Sequence, residues 1–385
     1  MKGKNRLRLQ RLNVSIYEAG SGGSEPVVVR GVVISDKEEL TDVDISALPQ
    51  DFQYGAVFVN EGEHAYAKVR FDPQSIDWLT ENLNTVGDAL TRCAVWDYLW
   101  MLVIDKKLTS LKFIEFVQKQ LPQEPEAWIM EAGLRRLKAL ISCYVPVELV
   151  REKTEAFFET LLALLAKEGV SKDAIVDQLF GFLSSQESIQ TALGWLESGK
   201  IPVGDGQLYE LTAGQKNSIL TALFKSRNFT TEVKMELLEM TLGEDKSDIA
   251  LQTRATCMAG LPDPEVKASV WAELTDPNNK DSAYMKSAKM AGFYSSNQLD
   301  IITPYFDKFF DILPQMYKQS SYRSFESFFY TLLPRLAVTD EHIVKLVVLK
   351  QDTPDTEKNF MIIIQDGLEL LLRTKLIREL AMQQK

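Results

Sequence analysis

The sequence predicts a mostly α-helical protein with a small antiparallel β-sandwich at its N-terminal end. Up to residue 72, short apolar runs alternate with turn residues, which is typical of short strands. From residue 73 onward, apolar residues recur at spacings of three and four, which is typical of helices. We therefore expect two domains, a β-sandwich over residues 1–72 and a HEAT-like helical superhelix over residues 73–385.

The first domain contains a series of short apolar segments. Turn residues at Gly20–Gly23 and Glu61–Gly62 separate them. Each run is short enough to be a strand of a small sheet. The predicted strands lie at Val27–Val29, Val32–Ile34, Val57–Val59 and in the alternating segment from Tyr66 to Phe71.

The first 17 residues carry five basic side chains and no acidic one. This composition is compatible with a transit peptide. Leu7 and Leu9 alternate with polar residues, however, and the segment continues into Leu12, Val14 and Ile16. That period of two favours a first β-strand.

The second domain is predicted to contain about 16 helices joined by short turns. Asp263-Pro264-Glu265 supplies an N-cap, a proline at the first helical position and an acid in the first turn. Before it, Leu251, Ala255 and Met258 form a stripe that should be buried and should stop at Gly260. Another single helix face is predicted from Leu299, Ile302, Phe306, Phe309 and Leu313.

Composition excludes several classes of function. The 43 basic and 54 acidic residues give a net charge of −11, which disfavours binding to nucleic acids and to anionic membranes. The longest apolar run, Tyr98–Ile104, is far shorter than the roughly 20 residues of a membrane-spanning helix. Cys93, Cys143 and Cys257 are too widely spaced for a disulfide framework or a zinc knuckle. We expect a cytoplasmic protein whose three cysteines are buried.

Catalytic motifs are absent from the sequence. The two histidines, His64 and His342, are expected in an exposed turn and on an exposed helix face, and no H-E-x-x-H or G-x-S-x-G occurs. Gly204-Asp205-Gly206 is too short to hold phosphate and is expected to be a turn. Clustered carboxylates such as Glu152 and Glu155 predict a solvated helix face. The residues alone therefore indicate a β-domain followed by a helical solenoid that binds something.

Several segments resemble the C-terminal region of zinc metallopeptidases of the aminopeptidase N type. The most specific is Tyr66-Ala67-Lys68-Val69-Arg70-Phe71-Asp72, which follows a strand ending in asparagine, Gly55–Asn60. The resemblance covers nearly the whole chain and is strongest to bacterial-type members. Its other segments are Leu90-Thr91-Arg92, Val95-Trp96-Asp97, Tyr144-Val145-Pro146, Pro264–Trp271, Ala291–Tyr294, Pro304-Tyr305-Phe306 and the final helix with Arg373 and Arg378.

The resemblance implies a zinc-dependent aminopeptidase that acts on peptides, but the zinc ligands and catalytic residues of that family belong to a domain that would precede residue 1. No position of this chain matches them. We therefore assign no catalytic residue and no metal ligand, and the substrate-binding residues stay unknown. The chain is expected to bind no zinc and to be inactive by itself, with the zinc held by a catalytic domain in the same or a separate chain.

In that family the helical domain forms a bowl that closes over the zinc domain and sometimes offers a basic residue to the substrate's carboxylate. Arg135, Arg136, Arg254 and Arg323 are candidates for that role by residue type only. Two hypotheses remain open. The chain is either part of an active aminopeptidase or a catalytically inert helical scaffold that binds a protein or a peptide. An enzyme part should expose a wide apolar surface, whereas a scaffold should not.

Overall fold

The computed structural model describes residues 9–20, 25–35 and 40–383. The chain divides into two compact units, Met1–Leu137 and Lys138–Lys385. The boundary that we expected after residue 72 stays a prediction. Leu7, the basic residues before it and residues 21–23 of the expected Gly20–Gly23 turn lie outside the described residues.

The predicted antiparallel sheet is confirmed as one three-stranded sheet of the first unit. It comprises β1 (Gln10–Glu18), β2 (Val27–Ile34) and β3 (Tyr54–Glu61) in the order β2-β1-β3. Val14 of β1 pairs with Val29 on one side and Val59 on the other. Leu12, Val14 and Ile16 alternate along β1 and are buried, as the period of two predicted.

Two of the expected strands are a single strand. Val27–Val29 and Val32–Ile34 both belong to β2, which continues through Gly31. Gly31 has a φ of +71°, its backbone N–H donates to Asn13 Oδ1 at 3.0 Å, and the register with β1 shifts beside Asn13. The sequence showed a break in the apolar pattern, and the structure shows that this break is a β-bulge.

The expected strand from Tyr66 to Phe71 is not present as a strand. Near the end of β3, the side chain of Asn60 makes the hydrogen bonds to Ala65 that a neighbouring strand would otherwise make. Asn60 Oδ1 accepts from the N–H of Ala65, and Asn60 Nδ2 donates to the carbonyl of Ala65, both at 2.8 Å. The chain therefore turns at residues 61–64 without forming a ladder. Phe71 packs against Phe58 of β3, with ring centroids 6.0 Å apart.

Helices fill the remainder of the first unit and most of the second. The predicted number was about 16, and the described residues contain 17. Most begin at an Asp, Ser or Thr whose side chain accepts from a backbone N–H of the first turn, including Asp263 before α11 as predicted. The helices are α1 (Pro73–Asn82), α2 (Ala89–Ile104), α3 (Ser110–Gln120), α4 (Ala127–Cys143), α5 (Val147–Leu165), α6 (Lys172–Leu179), α7 (Gln186–Ser198), α8 (Ala213–Lys225), α9 (Thr231–Leu242), α10 (Asp248–Gly260), α11 (Pro264–Thr275), α12 (Ala283–Phe293), α13 (Leu299–Ile302), α14 (Pro304–Gln319), α15 (Tyr322–Leu332), α16 (Asp340–Asp352) and α17 (Lys358–Gln383).

A hairpin that the sequence did not predict interrupts the helices of the second unit. Strands β4 (Lys200–Pro202) and β5 (Leu208–Glu210) pair in antiparallel fashion. The turn between them contains Gly204-Asp205-Gly206, all with positive φ, so the expected turn is confirmed.

Two predicted helix faces need correction. The Leu299–Leu313 face is divided between α13 and α14, because Pro304 starts a new helix after Thr303. Leu299 is only half-buried, whereas the other members of the face are buried: Ile302, Phe306, Phe309 and Leu313. α10 ends at Gly260 as predicted, yet Leu251 and Met258 are 42% and 39% exposed. The stripe that we expected to be buried therefore lies largely on the surface.

The core of the second unit is rich in phenylalanine. Phe309 stacks on Phe328 with centroids 5.8 Å apart, and Phe325, Phe329 and Phe360 complete the same buried cluster. In the first unit, Trp96 is fully buried against Phe113 and Phe116, as expected for an aromatic at helical spacing. In the described part of the chain, no helix combines the length and the apolar character needed to cross a membrane.

Candidate functional site: a cation-lined cavity in the second unit

The second unit contains a cavity of about 740 Å³ whose wall is strongly basic. It is lined by residues of α4, α5, α6, α8, α13, α15 and α17 and of the segments after α6, α12 and α15. Its volume lies within the roughly 300–1,000 Å³ of small-molecule sites. The charged side chains of the wall are five cations and one carboxylate: Lys138, Arg151, Lys225, Arg335, Arg378 and Asp177.

Most of this positive charge has no counter-ion. Arg151 is paired with Glu155 at 2.9 Å, and Asp177 Oδ1 accepts from Gln215 Nε2 at 2.7 Å. Among the described residues, no carboxylate oxygen lies within 4.0 Å of the side-chain nitrogens of Lys138, Lys225, Arg335 or Arg378. We call these four residues the basic cluster. The cavity is therefore positive inside a chain whose net charge is −11.

Arg335 and Arg378 are held by the C-terminal part of the unit. Arg335 Nε donates to Thr374 Oγ1 at 3.4 Å, and its guanidinium lies 5.4 Å from the ring centre of Tyr144. Arg378 Nη1 donates to the carbonyl of Leu336 at 3.1 Å, while its buried Nε has no partner among the described residues. Burial lowers the pKa of Arg378, and the neighbouring charge of Arg335 lowers it further. Each guanidinium keeps donors available for a ligand.

Lys138 lies beside Gly181, and Lys225 makes a hydrogen bond to the backbone. A Cβ at Gly181 would lie 3.0 Å from Lys138 Nζ, so the glycine leaves room for the ammonium group. Lys225 Nζ donates to the carbonyl of Ala291 at 2.8 Å. Burial lowers the pKa of Lys225, and the charge of Lys138 acts in the same direction. The two lysines are therefore near enough to repel each other.

A thiol also lines the cavity. Cys143 is half-buried, burial raises its pKa, and the charges of Arg335 and Arg378 oppose that rise. Cys93 is also half-buried and Cys257 is buried, so the expectation of full burial holds for Cys257 only. All three cysteines are free.

The four arginines singled out from the sequence do not line this cavity. Arg135 pairs with Glu131 at 3.6 Å, Arg136 pairs with Asp97, and Arg254 pairs with Glu239 at 2.6 Å. Arg323 is exposed. The sequence offered no signal for the basic cluster, because its members come from segments far apart in the chain.

The histidines were only partly predicted. His64 is exposed beside the turn at Gly62, as expected. His342, expected on an exposed face, is only 6% exposed and contacts the rings of Phe306 and Phe310, so that prediction was wrong. Its Nδ1 accepts from the N–H of Thr339 and closes a capping box at the start of α16, which draws the ring inward. Burial lowers its pKa.

The segment that carries the strongest resemblance is structural in this chain. Lys68 Nζ lies 2.5 Å from Asp105 Oδ2, and Arg70 lies 3.7 Å from the same oxygen. Val69 is buried, whereas Tyr66 is fully exposed. These side chains fix the path of the chain into α1 and place no reactive group in a cleft.

Comparison with known proteins identifies the family. The chain is 22% identical over 348 residues to Aminopeptidase N of Streptomyces lividans, an alignment that covers 88% of this chain and 39% of that relative. This chain therefore spans well under half the length of that relative. The family model of the ERAP1-like C-terminal domain matches residues 56–371. The resemblance to a C-terminal region of the aminopeptidase N type is thus confirmed, and the chain belongs to the ERAP1-like C-terminal domain family.

Proposed function

We propose that this chain is the non-catalytic C-terminal portion of a zinc-dependent aminopeptidase, where it closes over the active site and shapes the peptide cavity. The observation that carries this proposal is the family match over residues 56–371, together with a relative named Aminopeptidase N that is much longer than this chain. The substrate would be a peptide that loses its N-terminal residues. The zinc would be held by a catalytic domain in the same or a separate chain.

The side chains that the structure describes do not fit a zinc site. The described residues contain no group of three or more His, Cys, Asp or Glu side chains that could hold a metal ion. His342, one of the two histidines, has its Nδ1 engaged with its own helix start and its ring between two phenylalanines. We therefore derive no step of the reaction through zinc from these residues.

Exposed apolar side chains support docking against a further domain. Val344 and Val348 of α16 are 57% and 46% exposed at a spacing of four. Leu372 and Leu376 of α17 repeat that spacing. Apolar residues four apart lie on one helix face, and such a face is usually covered in the working protein. These two pairs support the hypothesis that the chain is part of an enzyme, for which we expect a wide exposed apolar surface.

The cavity supplies hydrogen-bond donors for a peptide carboxylate. The basic cluster offers ammonium and guanidinium donors on a wall that also contains Ile141, Val147 and Val150. Closure of such a domain would exclude water and limit the peptides that fit. The cytoplasmic location that we propose is supported by the three free cysteines.

The alternative is an inert scaffold that holds a protein or a peptide. An open groove lined by Ile249 and Tyr284, which are 68% and 73% exposed, gives that hypothesis a binding surface. A groove that binds a peptide would also serve part of an enzyme, so this groove does not favour the scaffold hypothesis. The domain boundary after residue 72 is retained as a proposal in either case.

The mass of the native polypeptide and the identity of the proteins bound to it test this proposal. An antibody raised against the 385-residue chain would capture the protein from the cells that express it. We expect either a polypeptide well above 43.6 kDa or a 43.6 kDa chain joined to a zinc-containing polypeptide. A 43.6 kDa chain without a zinc-containing companion would support the scaffold instead.

A further inference from the structure

We infer that the cavity of the second unit binds a small oxyanion with several negative charges. The inference uses the basic cluster, Lys138, Lys225, Arg335 and Arg378, which lines the cavity and has no salt-bridge partner among the described residues. The charge of Glu148 acts on Arg378 from beyond salt-bridge distance. The inference concerns only this chain and does not require closure over a catalytic domain. Loss of anion binding and failure of the proposed function are therefore separate results.

The cations without a salt-bridge partner favour a ligand with more than one negative charge. A peptide's C-terminal carboxylate carries one negative charge, whereas the basic cluster presents four positive groups. Among the described residues that line the cavity, Asp177 is the only carboxylate, and it already accepts a hydrogen bond from Gln215. A single carboxylate would leave most of this charge uncompensated in a partly buried site, which is unfavourable. A ligand with two or more charges is the better match.

The geometry of the donors specifies an oxyanion. Arginine presents a planar fork that fits phosphate or carboxylate oxygens in pairs, and lysine adds a compact charge. Among the described residues, Arg378 has one side-chain hydrogen bond, from Nη1 to the carbonyl of Leu336, and Arg335 has one, from Nε to Thr374 Oγ1. The Lys138 ammonium lies beside Gly181, and among the described residues Lys225 Nζ donates to one carbonyl, so both ammonium groups keep protons to donate.

The mutual repulsion of the cations has a direct consequence. The pKa of Arg378 is lowered by burial and by Arg335, and the pKa of Lys225 is lowered by burial and by Lys138. A bound oxyanion weakens the repulsion within either pair that it contacts. Because it binds the folded chain, it should also stabilise the second unit.

Isothermal titration calorimetry of the purified 385-residue chain tests the inference. Tripolyphosphate and citrate serve as probes, with acetate as the single-charge control. We expect one saturable site for at least one of the two polyanions, weaker binding at high salt, and no saturable heat with acetate. A response to tripolyphosphate alone identifies a polyphosphate site, and a response to citrate alone identifies a polycarboxylate site. No saturable binding of either polyanion would overturn the inference.

Matched variants localise the site. The double variant Lys138→Gln/Arg335→Gln removes two cations of the basic cluster. The control Lys246→Gln/Arg323→Gln removes the same two residue types from exposed positions. We expect the dissociation constant to rise roughly tenfold for each cluster cation lost, and to stay near wild type in the control. An equal change in both double variants would indicate nonspecific attraction and would contradict the assignment.

A second measurement needs no variant and so does not depend on the folding of one. Cys143 lines the cavity, whereas Cys93 is a half-buried thiol of the first unit. Alkylation of each thiol by iodoacetamide is followed by peptide mass spectrometry with and without tripolyphosphate or citrate. We expect the polyanion to slow alkylation of Cys143 and to leave Cys93 unchanged. Equal rates for Cys143 with and without both polyanions would place the ligand elsewhere.

Discussion

The ammonium nitrogen of Lys267 lies 2.9 Å from the carbonyl oxygen of Phe293 and 5.5 Å from the centre of its ring. The same nitrogen donates to the carbonyl of Ala259 at 2.7 Å. A single lysine of α11 thereby caps the C-terminal ends of α10 and α12. Lys234 of α9 does the same for the end of α8, where it donates to the carbonyls of Phe224 and Ser226.

Replacing Lys267 by methionine should destabilise the protein. The substitution keeps a side chain of similar length but leaves two buried carbonyls without their donor, which costs about 1–3 kcal/mol for each unsatisfied group. We expect a loss of at least about 2 kcal/mol in the free energy of unfolding, measured by urea titration. Lys246→Met, at an exposed position, is the control and should change little. Equal stability of the two variants would show that Lys267 is not a cap.

Lys267 and Lys234 should make the free energy of unfolding depend on pH. Burial lowers the pKa of Lys267 to about 7, with Lys225 and Lys234 contributing, and lowers that of Lys234 to about 8. The unfolded chain keeps the ordinary lysine pKa near 10.4, so it binds more protons than the folded chain between these values. The free energy of unfolding should therefore rise as the pH rises from about 7 to 9.

The contribution of each lysine can be isolated with the methionine variants. The rise in stability between pH 7 and 9 should be smaller in Lys267→Met and in Lys234→Met than in wild type, because each variant lacks one of the titrating groups. Urea midpoints at several pH values give the slope. A variant with the wild-type slope would mean that the lysine remains protonated throughout that range.

The buried ion pair of the first unit should be strongly coupled. Arg92 and Glu124 are joined at 3.0 Å with side chains 5% and 3% exposed, and Arg92 also donates to the carbonyls of Val86 and Gly87. Glu124→Leu leaves a buried charge unpaired and should cost roughly 3–5 kcal/mol.

A double-mutant cycle checks this coupling. Arg92→Met/Glu124→Leu should be less destabilised than the sum of the two single variants. As a surface control, Glu210→Gln breaks an exposed pair with Lys200 and should stay within about 0.5 kcal/mol of wild type. Strict additivity of the two buried substitutions would refute the coupling.

Helices α10 and α12 approach so closely that only glycine fits at one contact. A Cβ at Gly292 would lie 2.2 Å from the carbonyl oxygen of Thr256. Gly292→Ala should therefore destabilise the protein by about 1–3 kcal/mol. Gly194 of α7 has open space where a Cβ would be placed, so Gly194→Ala should stabilise by roughly 0.5–1 kcal/mol. Thermal unfolding of both variants gives the comparison, and shifts in the same direction would contradict it.

Much of the fold could be predicted from the sequence because local signals determine it. The strand period in β1, the Asp263 cap and the stop at Gly260 need only neighbouring residues. The errors arose where a side-chain contact that no periodicity reveals determines the local structure. The side chain of Asn60 bonds to the backbone of Ala65, and the rings of Phe306 and Phe310, distant in the sequence, pack against His342.

The candidate site was much less predictable. Arginine is mostly solvated, and nothing in the sequence distinguishes Arg335, which lines the cavity, from Arg254, which pairs with Glu239. Lys138 belongs to the same helix as Arg135 and Arg136, yet only Lys138 lines the cavity. Tertiary packing brings the cluster together, so neither a motif nor a spacing could have revealed it.

Zinc content and peptide hydrolysis test the central claim most directly. The purified 385-residue chain and the protein captured from its own cells would be compared by metal analysis and by release of N-terminal residues from peptides. We expect no stoichiometric zinc and no hydrolysis for the purified chain, and both zinc and chelator-sensitive hydrolysis for the captured protein. One zinc per purified chain together with chelator-sensitive release of N-terminal residues would contradict the account.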